Sequence, residues 1–456
     1  MSVFAKLDPF QRDAVDWIDR AIANCGGAGL FAEQGTGKTW ITLGYIERLI
    51  SPTFSALIVV PVTNLESTWA KNLAAELPSL SLVYDWDEFK RLPPPRALII
   101  GYERLSKIIR KVKQFKGWSL VAFDESQRLN KRSSGWSRAA RMLRHVDRRL
   151  ALSGTPLEQA PQDVWAQMRF IDYKTFGESW APFAGEYMKP GGFMGKKWLF
   201  IDRKMPQFLE AIKHCCLRID QSVLNLPPSH LIKVSFDLFG EQARIYRAME
   251  KDMVVSIKGK DVIAPLKITS MIRTQQICGG YLSTPDGDEV VGQGKMRQLR
   301  RLIESGKVKP PFVVFCRFRP EVLAVEQQLL KYFKQVEILW GKTGAGKNKS
   351  IIRGELNLRF QKSLIDGLVC QTKTGGVGVD LYTAAHAVIY STTFSSIDFD
   401  QTIKRLVRRG QNKEVSIFFL CARDTIDEDI YLALENKRSV TETFLSRLKQ
   451  RSINNG

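Results

Sequence analysis

One octapeptide limits what this chain can fold into more than any other feature. Residues Ala32 to Thr39 read AEQGTGKT, directly after the apolar run Gly29–Ala32 and directly before a helical pattern. A glycine-rich turn between a strand and a helix directs backbone N–H groups and the positive end of the helix at phosphate oxygens. The octapeptide therefore predicts a phosphate-binding loop, or P-loop, at the end of a parallel strand.

Consecutive residues of the P-loop have separate predicted roles. Backbone N–H groups of Gly35, Thr36 and Gly37 would surround the phosphates of a nucleotide. The ammonium group of Lys38 would neutralise the β- and γ-phosphates, and the hydroxyl group of Thr39 would bind Mg²⁺. ATP and Mg²⁺ are therefore the predicted cofactors.

A second glycine-rich segment, residues 341–347, reads GKTGAGK and also fits the general P-loop pattern. Asn348 follows it at the position where a Ser or Thr would bind Mg²⁺, and no acidic strand end follows at a suitable distance. We interpret this segment as a basic loop and predict that it binds no nucleotide.

An acidic pair supplies the rest of the predicted nucleotide site. Asp124 and Glu125 follow the apolar run Leu120–Phe123. Several predicted strands separate them from the P-loop, as expected within one domain. A carboxylate at the end of a strand can position Mg²⁺, and the next carboxylate can polarise water for in-line attack on the γ-phosphate. The sequence predicts that Asp124 binds Mg²⁺ together with Thr39. Glu125 is the predicted water-activating residue in a hydrolysis of ATP that also uses Lys38.

Short apolar runs alternate with amphipathic helical patterns along the chain, which predicts an α/β fold with parallel sheets. The predicted strands form two sets of five: Gly29–Ala32, Ala56–Val60, Ala97–Ile100, Leu120–Phe123 and Arg149–Leu152, then Phe312–Cys316, Val336–Leu339, Gly367–Cys370, Ala387–Tyr390 and Val415–Leu420. Two such sets predict two tandem RecA-like lobes with a cleft between them. Lobe 1 would cover residues 1–228, with a helical insertion after about residue 172, and lobe 2 would cover residues 229–456. The consecutive prolines Pro227 and Pro228 would stiffen the hinge.

The charge of the chain indicates a polyanionic partner. There are 68 Lys and Arg residues against 47 Asp and Glu residues, which gives a formal net charge of +21. The basic residues are spread in short groups, such as residues 104–116 and 128–149, and are not gathered in one tail. Each group alone would suit a solvated helix face, but together with the net charge the groups favour nucleic acid as the partner.

Cysteine and histidine usage offers no local metal-binding motif. The seven cysteines include no CxxC pair and the chain has only four histidines, so the spacing predicts no zinc site. Isolated cysteines in apolar strands, such as Cys316 and Cys370, predict buried residues in a reducing compartment. The N-terminus lacks a signal-peptide pattern, and the longest apolar runs are too short to span a membrane. We therefore expect a soluble, intracellular protein with no membrane partner.

These motifs resemble those of superfamily-two helicases, and specifically of the Swi/Snf-type DNA translocases, over nearly the whole chain. The opening LDPFQRDAVDWI is similar to the family's adenine-reading segment, with Gln11 in the glutamine position. DESQ stands where the family has DEAH or DEGH, so Gln127 replaces a His that often couples the nucleotide site to the other lobe. ALSGTPLEQAPQDVW, residues 151–165, resembles the motif that links hydrolysis to DNA. This resemblance implies coupling roles for the hydroxyl groups of Ser153 and Thr155.

The resemblance continues in the second half of the chain. Residues 272–282 and Lys295 resemble the entry to lobe 2. TKTGGVGVDLYTAAHAVIY, which begins at Thr372, resembles the family's AGGxGxNL motif. The resemblance implies that Thr372 and Lys373 contact DNA. It also implies that Asp380, which stands in place of Asn, hydrogen-bonds the ribose of the nucleotide or its own loop.

The segment QTIKRLVRRGQ, which begins at Gln401, carries the most specific resemblance. The family pattern is QxxxRxHRxGQ, and only its His is changed here, to Val407. Arg405 and Arg408 are three residues apart, which predicts that they share one face of a helix. The resemblance implies that both are arginine fingers that reach the γ-phosphate from lobe 2, a contact typically worth about 10³–10⁵ in rate. It implies that Gln401 couples the nucleotide and DNA sites.

The resemblance implies an ATP-hydrolysing motor that moves along nucleic acid, most of all double-stranded DNA, without obligatory strand separation. A strand-separating DNA or RNA helicase is the first alternative, and a nucleic-acid-binding scaffold with a vestigial ATPase is the second. A third is the motor subunit of a nuclease or modification complex, in which a partner supplies the other chemistry. We expect a monomer in the cytoplasm of a bacterial or virus-infected cell, with its pathway specified by a protein partner.

Overall fold

The computed structural model describes residues 2–130, 134–154, 162–191, 197–252, 254–257, 260–263, 267–284, 287–341, 343, 349–372, 379–393 and 395–434. The chain divides into two compact units, with the boundary between Leu224 and Asn225. Pro227 and Pro228 lie just after this boundary, in a segment without regular secondary structure. None of the helices that the structure describes is long and apolar enough to cross a membrane.

The first unit is built around a parallel sheet. Its described strands are β1 (Gly27–Ala32), β2 (Ser55–Val60), β3 (Ser81–Val83), β4 (Arg96–Gly101), β5 (Leu120–Phe123), β6 (Arg149–Ser153), β7 (Met188–Gly191), β8 (Lys197–Phe200) and β9 (Cys216–Ile219). Seven of them form one sheet in the order β3-β4-β2-β5-β6-β1-β9, in which every neighbouring pair is parallel. The strands β7 and β8 form a separate antiparallel hairpin.

Helices connect the strands of this sheet. They are α1 (Val3–Lys6), α2 (Pro9–Cys25), α3 (Lys38–Leu49), α4 (Val62–Asn64), α5 (Lys71–Glu76), α6 (Trp86–Arg91), α7 (Tyr102–Val112), α8 (Gly135–Met142), α9 (Gln162–Ile171), α10 (Tyr173–Phe176), α11 (Trp180–Tyr187) and α12 (Met205–Ile212). Along β2, Ala56 and Ile58 pack into one buried cluster, whereas Leu57 and Val59 pack into another. Both faces of the sheet are therefore covered, which explains why its central strands read as continuous apolar runs.

The second unit has the same parallel architecture. Its described strands are β10 (Ser229–Phe236), β11 (Val254–Ile257), β12 (Lys260–Ile263), β13 (Tyr281–Thr284), β14 (Gly287–Val290), β15 (Phe312–Cys316), β16 (Val336–Leu339), β17 (Gly367–Gln371), β18 (His386–Ile389) and β19 (Val415–Ala422). Six of them form a sheet in the order β10-β19-β18-β15-β17-β16, with every neighbouring pair parallel. Its helices are α13 (Gly240–Asp252), α14 (Lys267–Gly279), α15 (Gly294–Glu304), α16 (Arg319–Leu329), α17 (Lys349–Gln361) and α18 (Ser396–Leu406), and residues 426–434 are also helical.

A buried ion pair lies in the core of the second unit. Lys295, at the start of α15, is 1% exposed, and its Nζ lies 2.9 Å from a carboxylate oxygen of Asp427. Attraction to Asp427 raises the pKa of Lys295 against the opposing effect of burial, so the ammonium group stays charged. Removal of either partner would leave a buried charge uncompensated, at a cost of about 3–5 kcal/mol. The pair therefore joins α15 to the segment after β19.

The α/β class with two large parallel sheets is confirmed, and every predicted strand is present. Two of them, Phe312–Cys316 and Val336–Leu339, have the predicted bounds in the second unit, as Leu120–Phe123 does in the first. In the two parallel sheets the sequence missed β3, β9 and β10, which lie at sheet edges, and it also missed the strands of the described antiparallel hairpins β7-β8, β11-β12 and β13-β14. The edge strands β3 and β10 are only partly covered, so their residues need not be continuously apolar; in β10 only Phe236 is buried.

Candidate functional site

The P-loop joins β1 to α3 at the carboxyl edge of the first sheet. Gly35 and Gly37 have φ angles of 86° and 87°. This left-handed conformation costs a residue with a Cβ about 1–2 kcal/mol, but costs glycine little. At Gly37 a Cβ would also clash with the side-chain amide of Gln11. Glycine is therefore required by the shape of the turn that precedes Lys38.

The side chain of Lys38 lies back over the loop. Lys38 is the first residue of α3, and its Nζ donates to the carbonyl oxygens of Ala32 at 2.8 Å and Glu33 at 3.4 Å. A Cβ at Gly154, just beyond β6, would lie 3.3 Å from the same Nζ. The ammonium group therefore lies near the carboxyl ends of β1 and β6. Thr39 follows it in the first turn of α3, at a partly exposed position.

Gln11 holds the P-loop against α2. Its side-chain oxygen accepts a hydrogen bond from the Asp8 N–H at 3.0 Å, which forms half of the capping box of α2. Its Nε2 donates to the Thr36 carbonyl at 2.9 Å, and the residue is buried. Both ends of the amide are therefore bonded within the protein. The adenine contact implied by the resemblance would require Gln11 to exchange one of these hydrogen bonds.

Asp124 is almost fully buried at the end of β5. Its Oδ2 accepts a hydrogen bond from Nε1 of Trp69 at 2.8 Å, and its Oδ1 accepts from the Glu125 N–H at 2.9 Å. Burial and the charge of Glu125 raise the pKa of Asp124 to about 6, against the opposing effects of Trp69 and Lys38. A cation bound at this carboxylate would offset the same desolvation, so the site favours a positively charged ligand.

The backbone turns sharply at Glu125. Its φ angle is 51°, a left-handed conformation that is uncommon for a residue with a Cβ. The buried hydroxyl group of Tyr102 donates to the carbonyl oxygen of Asp124 at 2.6 Å and lies 3.3 Å from that of Glu125. Such conformations cost about 1–3 kcal/mol and persist only where the surroundings hold them. Tyr102 therefore supports the turn that presents the acidic pair.

Gln127 connects the acidic pair to the end of β6. Its Nε2 donates to Oε2 of Glu125 at 2.6 Å, and its Oε1 accepts from the hydroxyl group of Ser153 at 2.7 Å. Gln127 is only 4% exposed and Ser153 is fully buried, so the hydrogen bond between them is shielded from water, whereas the hydrogen bond to Glu125 is partly buried. The sequence predicted a coupling role for Ser153 but did not show its link to Glu125. The one sequence signal for this link was the presence of Gln127 where the family pattern has His.

An ion pair between the buried Arg218 and the partly exposed Glu33 supports the P-loop from the edge strand β9. Arg218 donates from Nη2 to Oε1 of Glu33 at 2.7 Å and from Nη1 to the Phe31 carbonyl at 3.1 Å. The other carboxylate oxygen of Glu33 accepts from the Gln221 N–H at 2.9 Å. The loop is thereby joined to the last strand of the first sheet. Sequence reasoning missed this contact, because its two charges are far apart along the chain.

The predicted arginine fingers form one cluster with the predicted ribose residue in the second unit. Nη1 of Arg405 donates to the Val379 carbonyl at 3.1 Å, and Nη1 of Arg408 forms an ion pair with Oδ1 of Asp380. The N–H of Asp380 donates to Oδ1 of Asn357 at 3.0 Å. Both arginines therefore bind the same short segment that follows the predicted DNA-contacting loop.

The prediction that Arg405 and Arg408 share one helical face is wrong. The helix α18 ends at Leu406, and Arg408 lies in the turn beyond it. Val407 has a non-helical ψ angle of 84°, and the carbonyl of Arg405 accepts from the Leu381 N–H at 3.1 Å. Pairing with the neighbouring segment replaces the hydrogen bond that would have continued the helix, so the two guanidinium groups belong to different local structures.

Thr372 lies inside the second unit, directly after β17. Its hydroxyl group donates to the carbonyl of Cys316 at 2.8 Å, at the end of β15, and the residue is buried. Gln401 lies in α18 and is partly buried. Thr372 therefore links two strand ends, and its implied DNA contact stays a prediction, as does the coupling role of Gln401.

Some sequence predictions fall outside the residues that the structure describes. They are the coupling residue Thr155, the DNA-contacting residue Lys373, and most of the second glycine-rich segment, including Lys347. Their roles stay predictions.

The sequence matches two family models that together cover most of the chain. The SNF2-related domain matches residues 10–279, and the helicase conserved C-terminal domain matches residues 294–410. The chain belongs to the SNF2 family. The P-loop, the acidic pair and Gln127 lie within the first match, and Arg405 and Arg408 lie within the second.

Individual relatives of this SNF2-family chain are distant and longer. A putative ATP-dependent helicase/translocase of Bacillus subtilis, YwqA, is 24% identical over 96% of this chain and 49% of its own length. A chromodomain-helicase-DNA-binding protein 1-like protein of Danio rerio is 24% identical over 96% of this chain and 44% of its own length. A solved SWI2/SNF2 ATPase core of Sulfolobus solfataricus in complex with dsDNA is 22% identical, covers 97% of this chain and 93% of that chain, and has a TM-score of 0.44. The chain thus spans about half, or less, of these two curated relatives.

The residues of the first unit suit ATP and Mg²⁺. Mg²⁺ prefers hard oxygen ligands, and the hydroxyl group of Thr39 and the carboxylate of Asp124 supply such oxygens. The ammonium group of Lys38 would bind a phosphate oxygen in exchange for its hydrogen bonds to the carbonyl oxygens of Ala32 and Glu33, and backbone N–H groups of the loop would bind other phosphate oxygens. The donor set therefore fits a magnesium-nucleotide complex.

Gln127 is expected to be a positioning residue for Glu125. The change Gln127→Ala removes a partly buried hydrogen bond to the Glu125 carboxylate, and hydrogen bonds to charged groups contribute about 1.5–3 kcal/mol. If that energy is needed in the transition state, the maximal ATP turnover falls about tenfold to a hundredfold, with little change in ATP affinity. Steady-state ATPase rates and equilibrium nucleotide binding would measure the two effects separately.

The control is Gln127→His, which introduces the residue of the family pattern. It replaces the N–H donor of the amide by the N–H donor of an imidazole ring. We expect it to retain more turnover than Gln127→Ala. Equal turnover in Gln127→Ala and the unmodified protein would show that the link from Glu125 to Ser153 does not position the carboxylate.

Proposed function

We propose that this chain is an ATP-driven motor that moves along double-stranded DNA without obligatory strand separation. The observation that carries the proposal is the cluster at the carboxyl edge of the first sheet, in a chain of the SNF2 family: Lys38, Asp124, Glu125, Gln127 and Ser153. Two relatives are known as a putative ATP-dependent helicase/translocase and a chromodomain-helicase-DNA-binding protein 1-like protein, which supports ATP and DNA as the ligands of this chain.

In this proposal the first unit binds and hydrolyses ATP. The P-loop backbone and Lys38 bind the phosphates, and Thr39 and Asp124 hold Mg²⁺. The metal ion would supply positive charge next to the phosphate oxygens. Glu125 orients the attacking water and draws its proton, while Gln127 keeps the carboxylate in place. The buried link to Ser153 would make this geometry sensitive to the segment after β6.

Arg405 and Arg408 are the proposed arginine fingers. The ion pair between Arg408 and Asp380 has both side chains about one-third exposed, at 31% and 36%. Exposed ion pairs of this kind contribute only about 0–1 kcal/mol to stability. Arg408 would therefore lose little free energy when it leaves the Asp380 carboxylate and binds a more highly charged phosphate. In the absence of nucleotide, the ion pair with Asp380 would therefore keep the Arg408 side chain in a fixed position.

Two of the three alternatives concern this chain alone. A strand-separating helicase would use the same nucleotide site, so only its product distinguishes it from a duplex translocase. A scaffold with a vestigial ATPase is disfavoured because Lys38, Asp124 and Glu125 are all retained. A monomer whose pathway is specified by a protein partner is the proposed state.

We expect double-stranded DNA to stimulate ATP hydrolysis at least as well as single-stranded DNA. The net charge of +21 supports contacts with phosphates. On B-DNA, each phosphate that the protein neutralises contributes about −0.9 to the slope of log binding constant against log salt concentration. The DNA affinity should therefore fall steeply as the salt concentration rises. ATPase rates measured across DNA, RNA and salt concentrations would test this. Stimulation by RNA alone would reject DNA as the track.

Movement is tested separately from binding. We expect ATP-dependent displacement of the third strand from a DNA triplex, with little separation of a simple forked duplex. Both substrates are assayed at the same protein and ATP concentrations, with Lys38→Ala as the control without hydrolysis. Efficient fork separation without triplex displacement would favour the helicase alternative.

A further inference from the structure

Four side chains in the first unit converge at the amino end of β1, far from the P-loop. The side chains belong to Cys25, Asp172, His214 and Cys215, and their ligand atoms all lie within 4.8 Å of one another. Cys25 is the last residue of α2, Asp172 follows α9, and the other two residues lie between α12 and β9. Three segments that are distant in sequence therefore supply this cluster.

We propose that this cluster is a structural Zn²⁺ site whose four ligands are Cys25, Asp172, His214 and Cys215. Two thiolates, an imidazole and a carboxylate are all established ligands of zinc, and four ligands complete its tetrahedral shell. Bonds of about 2.0–2.3 Å separate tetrahedral ligand atoms by about 3.3–3.8 Å. The observed cluster is therefore near the required size, and a cation would draw its atoms inward by about 1 Å or less.

Neighbouring groups orient the ligands. Oδ2 of Asp172 lies 3.0 Å from Nε2 of His214 and accepts a hydrogen bond from the hydroxyl group of Thr175 at 2.8 Å. The Asp172 carboxylate also accepts from the Lys174 N–H at 3.1 Å. Contacts of this kind hold a carboxylate ligand in one orientation. Cys215 is fully buried, whereas the side chain of His214 is 42% exposed, which leaves a path by which the ion can enter.

Zinc binding requires both sulfur atoms as thiolates. Zinc binding forms two Zn–S bonds, breaks two S–H bonds and releases both protons to solvent, with no change of oxidation state.

Arg149 balances the charge of the loaded site. Two thiolates, one carboxylate and Zn²⁺ leave one excess negative charge. The buried guanidinium group of Arg149 donates from Nη2 to the Cys25 carbonyl at 3.2 Å and to the Ile171 carbonyl at 3.0 Å. A fixed positive charge therefore lies next to the site, which lowers the cost of burying it.

The bound zinc would stabilise the first sheet by joining its strands β1 and β9. It would take no part in ATP hydrolysis. The N–H of Gly29 in β1 donates to the Cys215 carbonyl at 2.7 Å, so the cluster joins the start of β1 directly to the start of β9. The P-loop lies at the other end of β1, six residues and roughly 20 Å away. Loss of the metal should therefore lower the stability of the protein before it changes the ATP site.

The first experiment measures metal in the unmodified chain. The protein is expressed with zinc in the medium, purified without chelators or a metal-affinity column, and analysed by mass spectrometry for metals. We expect about one Zn²⁺ per chain. After removal of the zinc, titration with Co²⁺ should restore one equivalent with the visible absorption of tetrahedral thiolate coordination. Little or no zinc together with no such cobalt absorption would overturn the proposal.

Variants then assign the metal to the cluster. His214→Ala changes a partly exposed side chain and should weaken zinc affinity at least about tenfold. The double variant Cys25→Ser with Cys215→Ser should lose the metal, whereas Cys421→Ala, at a buried cysteine of the second unit, should keep it. A chelator should lower the melting temperature of the unmodified protein and of Cys421→Ala, but not that of the double variant.

Two results would contradict the assignment even if the double variant failed to fold. Unchanged zinc affinity in His214→Ala would remove His214 from the ligand set. A disulfide between Cys25 and Cys215 in protein prepared under reducing conditions, detected as the loss of two hydrogen masses, would show that the thiols pair with each other and bind no metal.

Discussion

The change Glu125→Gln is expected to abolish steady-state ATP turnover and to leave ATP bound. The two side chains have nearly the same volume, and the amide oxygen can still accept the hydrogen bond from Gln127. The amide cannot take a proton from water, however. A general base contributes about 10²–10⁴ in rate, so turnover should fall by at least about a hundredfold.

The comparison with Lys38→Ala separates the two halves of the proposed site. Removing the ammonium group takes away phosphate binding, so Lys38→Ala should lose ATP affinity as well as turnover. Glu125→Gln should lose turnover alone, because its role begins after ATP is bound. Turnover at saturating ATP and DNA, and equilibrium binding of ATP, would measure the two quantities.

The matched control is Glu103→Gln, which makes the same chemical change at an exposed position in α7. We expect it to behave like the unmodified protein. Near-normal turnover in Glu125→Gln would remove Glu125 from the proposed chemistry. Loss of ATP binding in the same variant would mean that Glu125 supports the bound nucleotide instead of activating water.

The second large effect is expected for Arg408→Ala, with turnover reduced about 10³–10⁵-fold. The guanidinium group would contact the γ-phosphate only in the state that reacts, so ATP and DNA affinities should change little. The fold should tolerate the change, because the ion pair of Arg408 with Asp380 is partly exposed and contributes at most about 1 kcal/mol.

The neighbouring exposed residue supplies the control for this variant. Arg409→Ala removes the same charge one position further along the chain and should keep most of the turnover. The melting temperatures of both variants would show that the fold is intact. If Arg408→Ala loses ATP affinity but keeps its turnover at saturating ATP, Arg408 binds the ground state and the finger assignment is wrong.

Local patterns predicted the strands well where the sheet is covered on both faces. β5 reads LVAF and is buried throughout, so its composition alone indicates a central parallel strand. The edge strand β9 was missed because it carries the charged residue Arg218. Only the folded chain provides the partner, Glu33, that makes this charge acceptable in a buried position.

The end of α18 shows a different limit. The spacing of Arg405 and Arg408 suits one helical face, and no proline or glycine between them signals a break. The break comes from the Leu381 N–H, which binds the carbonyl of Arg405 from another segment. The spacing of residues predicts only the hydrogen bonds within a helix. It cannot predict a hydrogen bond from another segment that competes with them.

The amino-acid sequence by itself determined the α/β class, the P-loop and the acidic pair as motifs, because each depends on residues that are neighbours in the chain. A glycine-rich turn, a strand end and an apolar run all act over a few residues. Tertiary structure alone decided the link from Glu125 through Gln127 to Ser153, and the convergence of Cys25 with Asp172. These contacts depend on which strand ends and helix ends meet in space, and that order is set by the packing of the whole sheet.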